Sequence, residues 1–168
     1  MSSFQSYIFN KLISARIKRG NPISTPVQGD VISILSESRG QPSMVFYKYG
    51  DWNDEAIMKA FKYDRATIIA PIVGFKTDLG KFPYFESIVK DIMVEESFRQ
   101  DEFHHKHYQL FNFEGTFRPI FIKPTKLSTS PAYITNKYPE KDPSGVQLEF
   151  NLPKGTYATS LLREFCKN

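Results

Sequence analysis

Apolar residues recur at helical spacing from the start of the chain. Phe4, Tyr7, Ile8, Leu12 and Ala15 define a stripe that Phe9, Ile13 and Ile17 widen, which predicts a helix over residues 3–19. Arg16, Lys18 and Arg19 fall in its last turn, where cations complement the helix dipole, and Gly20, Asn21 and Pro22 stop it. So wide a stripe predicts burial between two neighbouring elements. Pro and Gly punctuate residues 21–41, leaving a short strand over Asp30–Leu35. A second strand follows at Met44–Tyr49, and Asp54 caps a short helix reaching Phe61. Thr67–Val73 is β-rich but contains Pro71, which predicts two short pieces. Phe85, Ile88, Val89, Ile92 and Met93 predict a helix over residues 84–96, and the polar run Asp101–Tyr108 a loop or short helix.

Further along, Thr116–Lys123 becomes apolar on both sides, as in a central strand. Leu127–Ser144 is rich in Ser, Thr, Pro, Lys and Asp and reads as an exposed loop or hairpin arm. Val146, Leu148, Phe150 and Leu152 alternate with Gln147, Glu149 and Asn151, a strand with one buried face. Pro153-Lys154-Gly155 turns the chain, and Thr156 caps a final helix whose face is Ala158, Leu161, Leu162 and Phe165. Helices and short strands are mixed with no regular βαβ rhythm, so the expected class is α+β.

Composition narrows the function. The 168 residues are 40% hydrophobic and 15% aromatic, enough for a core without staples and with rings to spare for a site. The net charge of +4 permits a polyanionic partner. The single cysteine, Cys166, excludes an internal disulfide framework and a Cys-rich zinc site. No apolar run approaches the roughly 20 residues of a membrane span, and no signal layout opens the chain. No membrane partner and a reducing, cytoplasmic setting are therefore expected.

Few residues carry recognisable chemistry. His104, His105 and His107 cluster, but adjacent positions do not converge on one ligand point and no second ligand set exists. No metal is expected there; a solvated loop and a weak contact to RNA phosphate both remain open. There is no G-x-S-x-G, no P-loop and no G-x-G-x-x-G, which leaves no nucleotide cofactor and no serine-type nucleophile. Asp91, Glu95 and Glu96, beside Lys90, read as a solvated helix face. The strongest local signal is the last strand, turn and helix. It sets backbone N–H groups of a helix start beside a strand end, a place that favours an anion, with Lys154 adding charge and Tyr157 in the first turn. The same residues also fit a tight β–α turn with Tyr157 as a lid on its own core.

Those residues carry a resemblance. Leu-Pro-Lys-Gly-Thr-Tyr-Ala-Thr-Ser-Leu-Leu-Arg-Glu-Phe, residues 152–165, is similar to the C-terminal signature of the TruD family of tRNA pseudouridine synthases. Other stretches agree in the same order: Phe4–Asn10 continuing to Arg16-Ile17, Pro26–Val31, Ala66–Gly74, and Gly115–Pro119. The resemblance runs over nearly the whole chain. It implies an insertion domain over residues 1–145, including the N-terminal buried helix. Residues 146–168 would then be the final strand, turn and helix of the catalytic domain.

One departure matters. The family's catalytic aspartate lies in a Gly-x-Lys-Asp motif of an N-terminal half, and no such motif occurs here; Lys141-Asp142 is followed by Pro143 and stands in the wrong order. No catalytic residue is therefore assigned to this chain, and whether it is an enzyme by itself is left open. The family's chemistry turns a uridine of tRNA into pseudouridine: an aspartate attacks, the glycosidic bond breaks, the base turns, and a C–C bond forms. The resemblance places Tyr157 against the substrate base, with Lys154 and Thr156 able to touch RNA phosphates. It leaves Arg163 pairing with a carboxylate of the absent half, and Asn10 and Arg16 fixing the first helix. The expected partners are tRNA and a separate N-terminal half carrying the aspartate. The alternative is a non-catalytic RNA-binding remnant of the family.

Overall fold

The computed structural model describes residues 3–36, 41–105, 112–132, 145–153 and 156–167. Their elements in chain order are α1 (Ser3–Lys18), β1 (Val31–Leu35), β2 (Pro42–Lys48), α2 (Asp54–Lys62), β3 (Ala66–Ile72), α3 (Pro83–Glu95), β4 (Thr116–Pro119), β5 (Thr125–Ala132), β6 (Gly145–Asn151) and α4 (Ala158–Phe165), with short 3-10 turns between some of them. The class is α+β, as the pattern predicts. The chain divides into two compact units, Met1–Ile122 and Lys123–Asn168. The division falls before β5 because β5 directs its ladder bonds to β6 and so belongs with the final strand.

The first unit is built on a four-stranded antiparallel sheet in the order β2-β1-β3-β4. Its central strand β3 is buried at every residue and runs unbroken through Pro71, against the two pieces expected. The ladder explains this. The Ile68 carbonyl accepts from the Ile120 N–H, so even-numbered residues of β3 turn their backbone groups to β4. Pro71 turns the other way, where β1 has already ended with Val31 opposite Ile69, so its missing N–H costs no ladder bond.

Residues directly opposite in the ladder share a face. Ala70 and Ile72 face α1 and α3, while Ile32, Ala66 and Ile68 pack with Ile57 of α2, so all three helices lie on one side of the sheet. The other side presents Val31, Phe46 and Ile69, and none of this unit's three helices lies on it. Helix α1 lies between β3 and α3, as its wide stripe predicts, and buries Ile8, Phe9 and Leu12. Only the inner part of that stripe is filled, since Phe4, Tyr7 and Ile17 remain exposed.

The second unit is an antiparallel pair, with Thr129 opposite Leu148, followed by α4. Thr125–Ala132 is thus the hairpin arm of the two readings for the Ser/Thr-rich segment, and residues 133–144 lie outside the described residues. None of this unit's described residues is buried. No helix among the described residues is long and apolar enough to cross a membrane.

Candidate functional site

The Pro153 carbonyl organises the last turn. It accepts from the Thr156 hydroxyl at 2.8 Å and from the Thr156 N–H at 3.3 Å. Thr156 is therefore not the cap of α4. The N-cap is Tyr157, in extended backbone (φ −105°, ψ 115°), and its carbonyl accepts from the Ser160 N–H at 3.1 Å. The threonine stands one residue too early to reach the first turn, and its hydroxyl closes the preceding turn instead. Tyr157 is 59% exposed, so it is no lid on a core. Lys154 lies outside the described residues. Leu162 and Phe165 on α4 are exposed, and Arg163 makes no ion pair with a described carboxylate. The turn thus presents an aromatic ring at a helix start, beside a helix and a hairpin none of whose described apolar side chains is buried.

In the first unit, residues from separate sequence stretches meet in pairs. The Gln5 side-chain amide donates to the Val73 carbonyl at 2.9 Å inside the core. Arg16 on α1 meets Asp30 just before β1 in a fully buried, two-pronged pair, Nη1 to Oδ1 at 2.7 Å and Nη2 to Oδ2 at 2.9 Å. The other guanidinium donors reach the Pro22 and Thr25 carbonyls at 2.8 and 3.1 Å. The Val27 N–H donates to Asp30 at 2.8 Å, and the guanidinium lies 4.7 Å from the Tyr84 ring centre. Every polar atom of the pair is used, which a buried charge requires. Burial pushes the Asp30 carboxyl up from its ordinary range, opposed by the bonds from Arg16 and Val27. The expectation that Arg16 anchors the first helix therefore holds. Asn10 does not share that role: it is exposed, and its side chain forms no hydrogen bond with a described residue.

Gly74 and Gly115 form the third meeting point. A Cβ on Gly74 would lie 2.2 Å from the Gly115 nitrogen and the Phe113 oxygen, and Gly115 has φ +91°. The Thr77 hydroxyl braces the contact, accepting from the Gly74 N–H at 2.8 Å. The Gln100 amide bonds the Gly74 and Thr77 carbonyls at 2.9 and 2.6 Å. Backbone on both sides leaves no flexible atom to give way. Gly74→Ala is expected to cost about 1–3 kcal/mol, the usual range for overpacking, read as a lower urea midpoint at unchanged slope; an unchanged midpoint refutes the contact.

Three features were poorly visible in the linear pattern. Glu95, Glu96 and Asp91 are not simply a solvated face. Lys11 pairs with Glu95 at 2.8 Å and also with Glu96, Tyr7 donates to Glu96 at 2.8 Å, and Arg19 meets Asp91 at 3.3 Å, so these carboxylates clamp α1 to α3. Bonds from Lys11 and Tyr7 hold Glu96 below the usual glutamate range. His104 and His105 engage different neighbours, the His104 ring lying 4.7 Å from that of Phe75 and the His105 N–H bonding Asn112 at 2.6 Å, and His107 lies outside the described residues. No group of potential metal ligands occurs among the described residues. Finally, a cleft of about 470 Å³ opens on the helix-free side of the sheet, lined by Val31, Phe46, Ile69 and Phe117 and rimmed by Lys48 and Lys76. Its residues come from four strands and two loops, and only the exposed aromatics of β2 hinted at it in sequence.

Compared with known proteins, residues 1–165 match the family model described as tRNA pseudouridine synthase D (TruD). A relative from Methanococcoides burtonii, named "Probable tRNA pseudouridine synthase D", is 30% identical over 166 residues, covering 98% of this chain and 36% of the relative. A Pyrococcus furiosus protein of the same name is 32% identical, covering 99% of this chain and 38% of its own length. In structure, the chain superimposes with a TM-score of 0.76 and 29% identity on a crystal structure from Methanosarcina mazei, also described as a tRNA pseudouridine synthase D, covering 98% of this chain and 37% of that one. The chain spans little more than a third of the length of these curated relatives.

Proposed function

Since the chain belongs to the tRNA pseudouridine synthase D family, we propose that it supplies RNA binding and one wall of the uridine pocket for pseudouridine formation in tRNA. In this reading the nucleophilic aspartate comes from an N-terminal half outside these residues, and this chain is the C-terminal part. Residues 1–145 then belong to the insertion domain, and residues 146–168, the final strand, turn and helix, to the catalytic domain. Tyr157 packs its ring on the base once the uridine has left its stack, Lys154 contacts a flanking phosphate, and Thr156 does so when its hydroxyl turns from the Pro153 carbonyl to the phosphate.

One observation carries the reading. The family match extends through residue 165, yet no described residue of the second unit is buried. A two-stranded ribbon and an eight-residue helix are marginal without a hydrophobic partner. Val146 on β6, Leu127 on β5, and Leu162 and Phe165 on α4 are exposed apolar groups suited to a larger sheet. In this reading Arg163, which has no ion-pair partner among the described residues, pairs with a carboxylate of that half.

The test is reconstitution. The chain is mixed with an N-terminal half bearing the Gly-x-Lys-Asp motif, and pseudouridine is measured in tRNA. Conversion is expected from the pair and from neither part alone. Backbone amides of β5 and β6 are expected to exchange quickly in the isolated chain and to slow on mixing. Tight pairing without conversion refutes the catalytic reading, and salt-sensitive RNA binding by the chain alone then marks a non-catalytic remnant.

A further inference from the structure

We propose that the cleft on the helix-free side of the four-stranded sheet holds an unpaired nucleotide of the RNA, as a second contact besides the base at Tyr157. This rests on the reading that the chain handles RNA. The strands β2 and β4 are the two edges of the sheet, roughly 14 Å apart at ordinary strand spacing. The rings of Phe46 on β2 and Phe117 on β4 nevertheless meet edge to face, their centres 4.9 Å apart. Both therefore reach inward across the sheet, and the small Ser33 opposite Phe46 leaves room for it. Val31 and Ile69 below them are 8% and 1% exposed, whereas Phe46 is 38% exposed. The floor is thus an aromatic surface open to a flat ligand, in a cavity of about 470 Å³. Small-ligand sites usually fall within about 300–1,000 Å³.

The rim supplies charge for a phosphate. Lys48 forms no ion pair with a described residue. Lys76 meets Glu114 at 2.5 Å and Lys81 meets Asp78 at 3.9 Å, but these four side chains are each more than 60% exposed. Pairs so open to water are worth little, and a phosphate can displace them. Three lysines stand against two carboxylates around one aromatic floor. That combination takes any base by its face and the backbone by its charge.

A protein strand added to the sheet at β2 fits less well. Ser33 pairs with Phe46 while Leu35 pairs with Pro42, so β2 carries two extra residues and bulges. Within the bulge the Val45 N–H turns to the Ser43 hydroxyl at 3.2 Å. A bulged edge is a poor template for another strand.

The test uses the full chain and a short fluorescein-labelled single-stranded RNA, read by anisotropy over a series of salt concentrations. Phe46→Ala is expected to weaken binding about 5- to 100-fold, the range for losing one base–aromatic stack. Lys48→Ala, a surface change that leaves the fold intact, is expected to lower the slope of log affinity against log salt by about 0.7. Wild-type affinity and slope in both variants overturn the proposal, as does absence of binding by the chain. Tyr157→Ala in the same assay separates the two sites: weakening there alone refutes the cleft and leaves the base pocket standing. Hydrogen-exchange protection of Phe46 and Phe117 by the Asp-bearing half, without RNA, makes this face a protein interface and also overturns the proposal.

Discussion

Removing one partner of the buried Arg16–Asp30 pair is expected to lower folding stability by about 3–5 kcal/mol, the usual cost of leaving one buried charge uncompensated. Both side chains have 0% exposure. In Asp30→Asn the guanidinium keeps its charge and its bonds to Pro22 and Thr25, but loses the anion that offset its desolvation. In Arg16→Met, Asp30 keeps only the Val27 N–H, and the two carbonyls lose their donor. Domains of this size have about 5–15 kcal/mol to lose, so either change brings the fold near its threshold. Urea unfolding measures it, and a loss below about 1 kcal/mol in both variants contradicts the burial described here. Arg16→Lys is expected to recover little, because an ammonium cannot span both carboxylate oxygens and two carbonyls in one plane.

Tyr157→Ala is expected to slow pseudouridine formation by the reconstituted pair by up to about 100-fold. A base–aromatic stack is worth about 1–3 kcal/mol, and each 1.36 kcal/mol in the transition state is about tenfold in rate. The ring is 59% exposed, so the stability of the chain itself is expected to change by no more than about 0.5 kcal/mol. That contrast separates a substrate contact from a structural one. Tyr157→Phe distinguishes the two parts of the side chain. Retained activity assigns the effect to the ring, and a loss equal to that of alanine assigns it to the hydroxyl. A rate within twofold of wild type for Tyr157→Ala removes the residue from the pocket.

Much of this was legible from local pattern. The first helix, the paired strands near Asp30 and Met44, the helices at Asp54 and Phe85, and the final strand all lie within a residue or two of where periodicity puts them, because side-chain spacing is a local property. The class follows from their order. The errors came where the ladder or a competing near neighbour overrides the local signal. Pro71 reads as a break, yet sits where one neighbouring strand has ended. Thr156 reads as a cap, yet its hydroxyl finds the Pro153 carbonyl first. Glu95 and Asp91 are exposed, as read, but their pairs with Lys11 and Arg19 join distant parts of the chain that local pattern does not show.

The stretches that carry the family resemblance show where order along the chain stops being informative. Gln5 with Val73, Arg16 with Asp30, and Gly74 with Gly115 stand in that order as unrelated letters. Folding alone turns them into a buried amide bond, an enclosed ion pair and a backbone contact too close for any Cβ. Family, class and the aromatic turn at Tyr157 reside in the order of residues, which motif and period express directly. The aromatic cleft, the α1–α3 clamp and the unfilled apolar side of the second unit depend on which surfaces meet, and no local spacing encodes that.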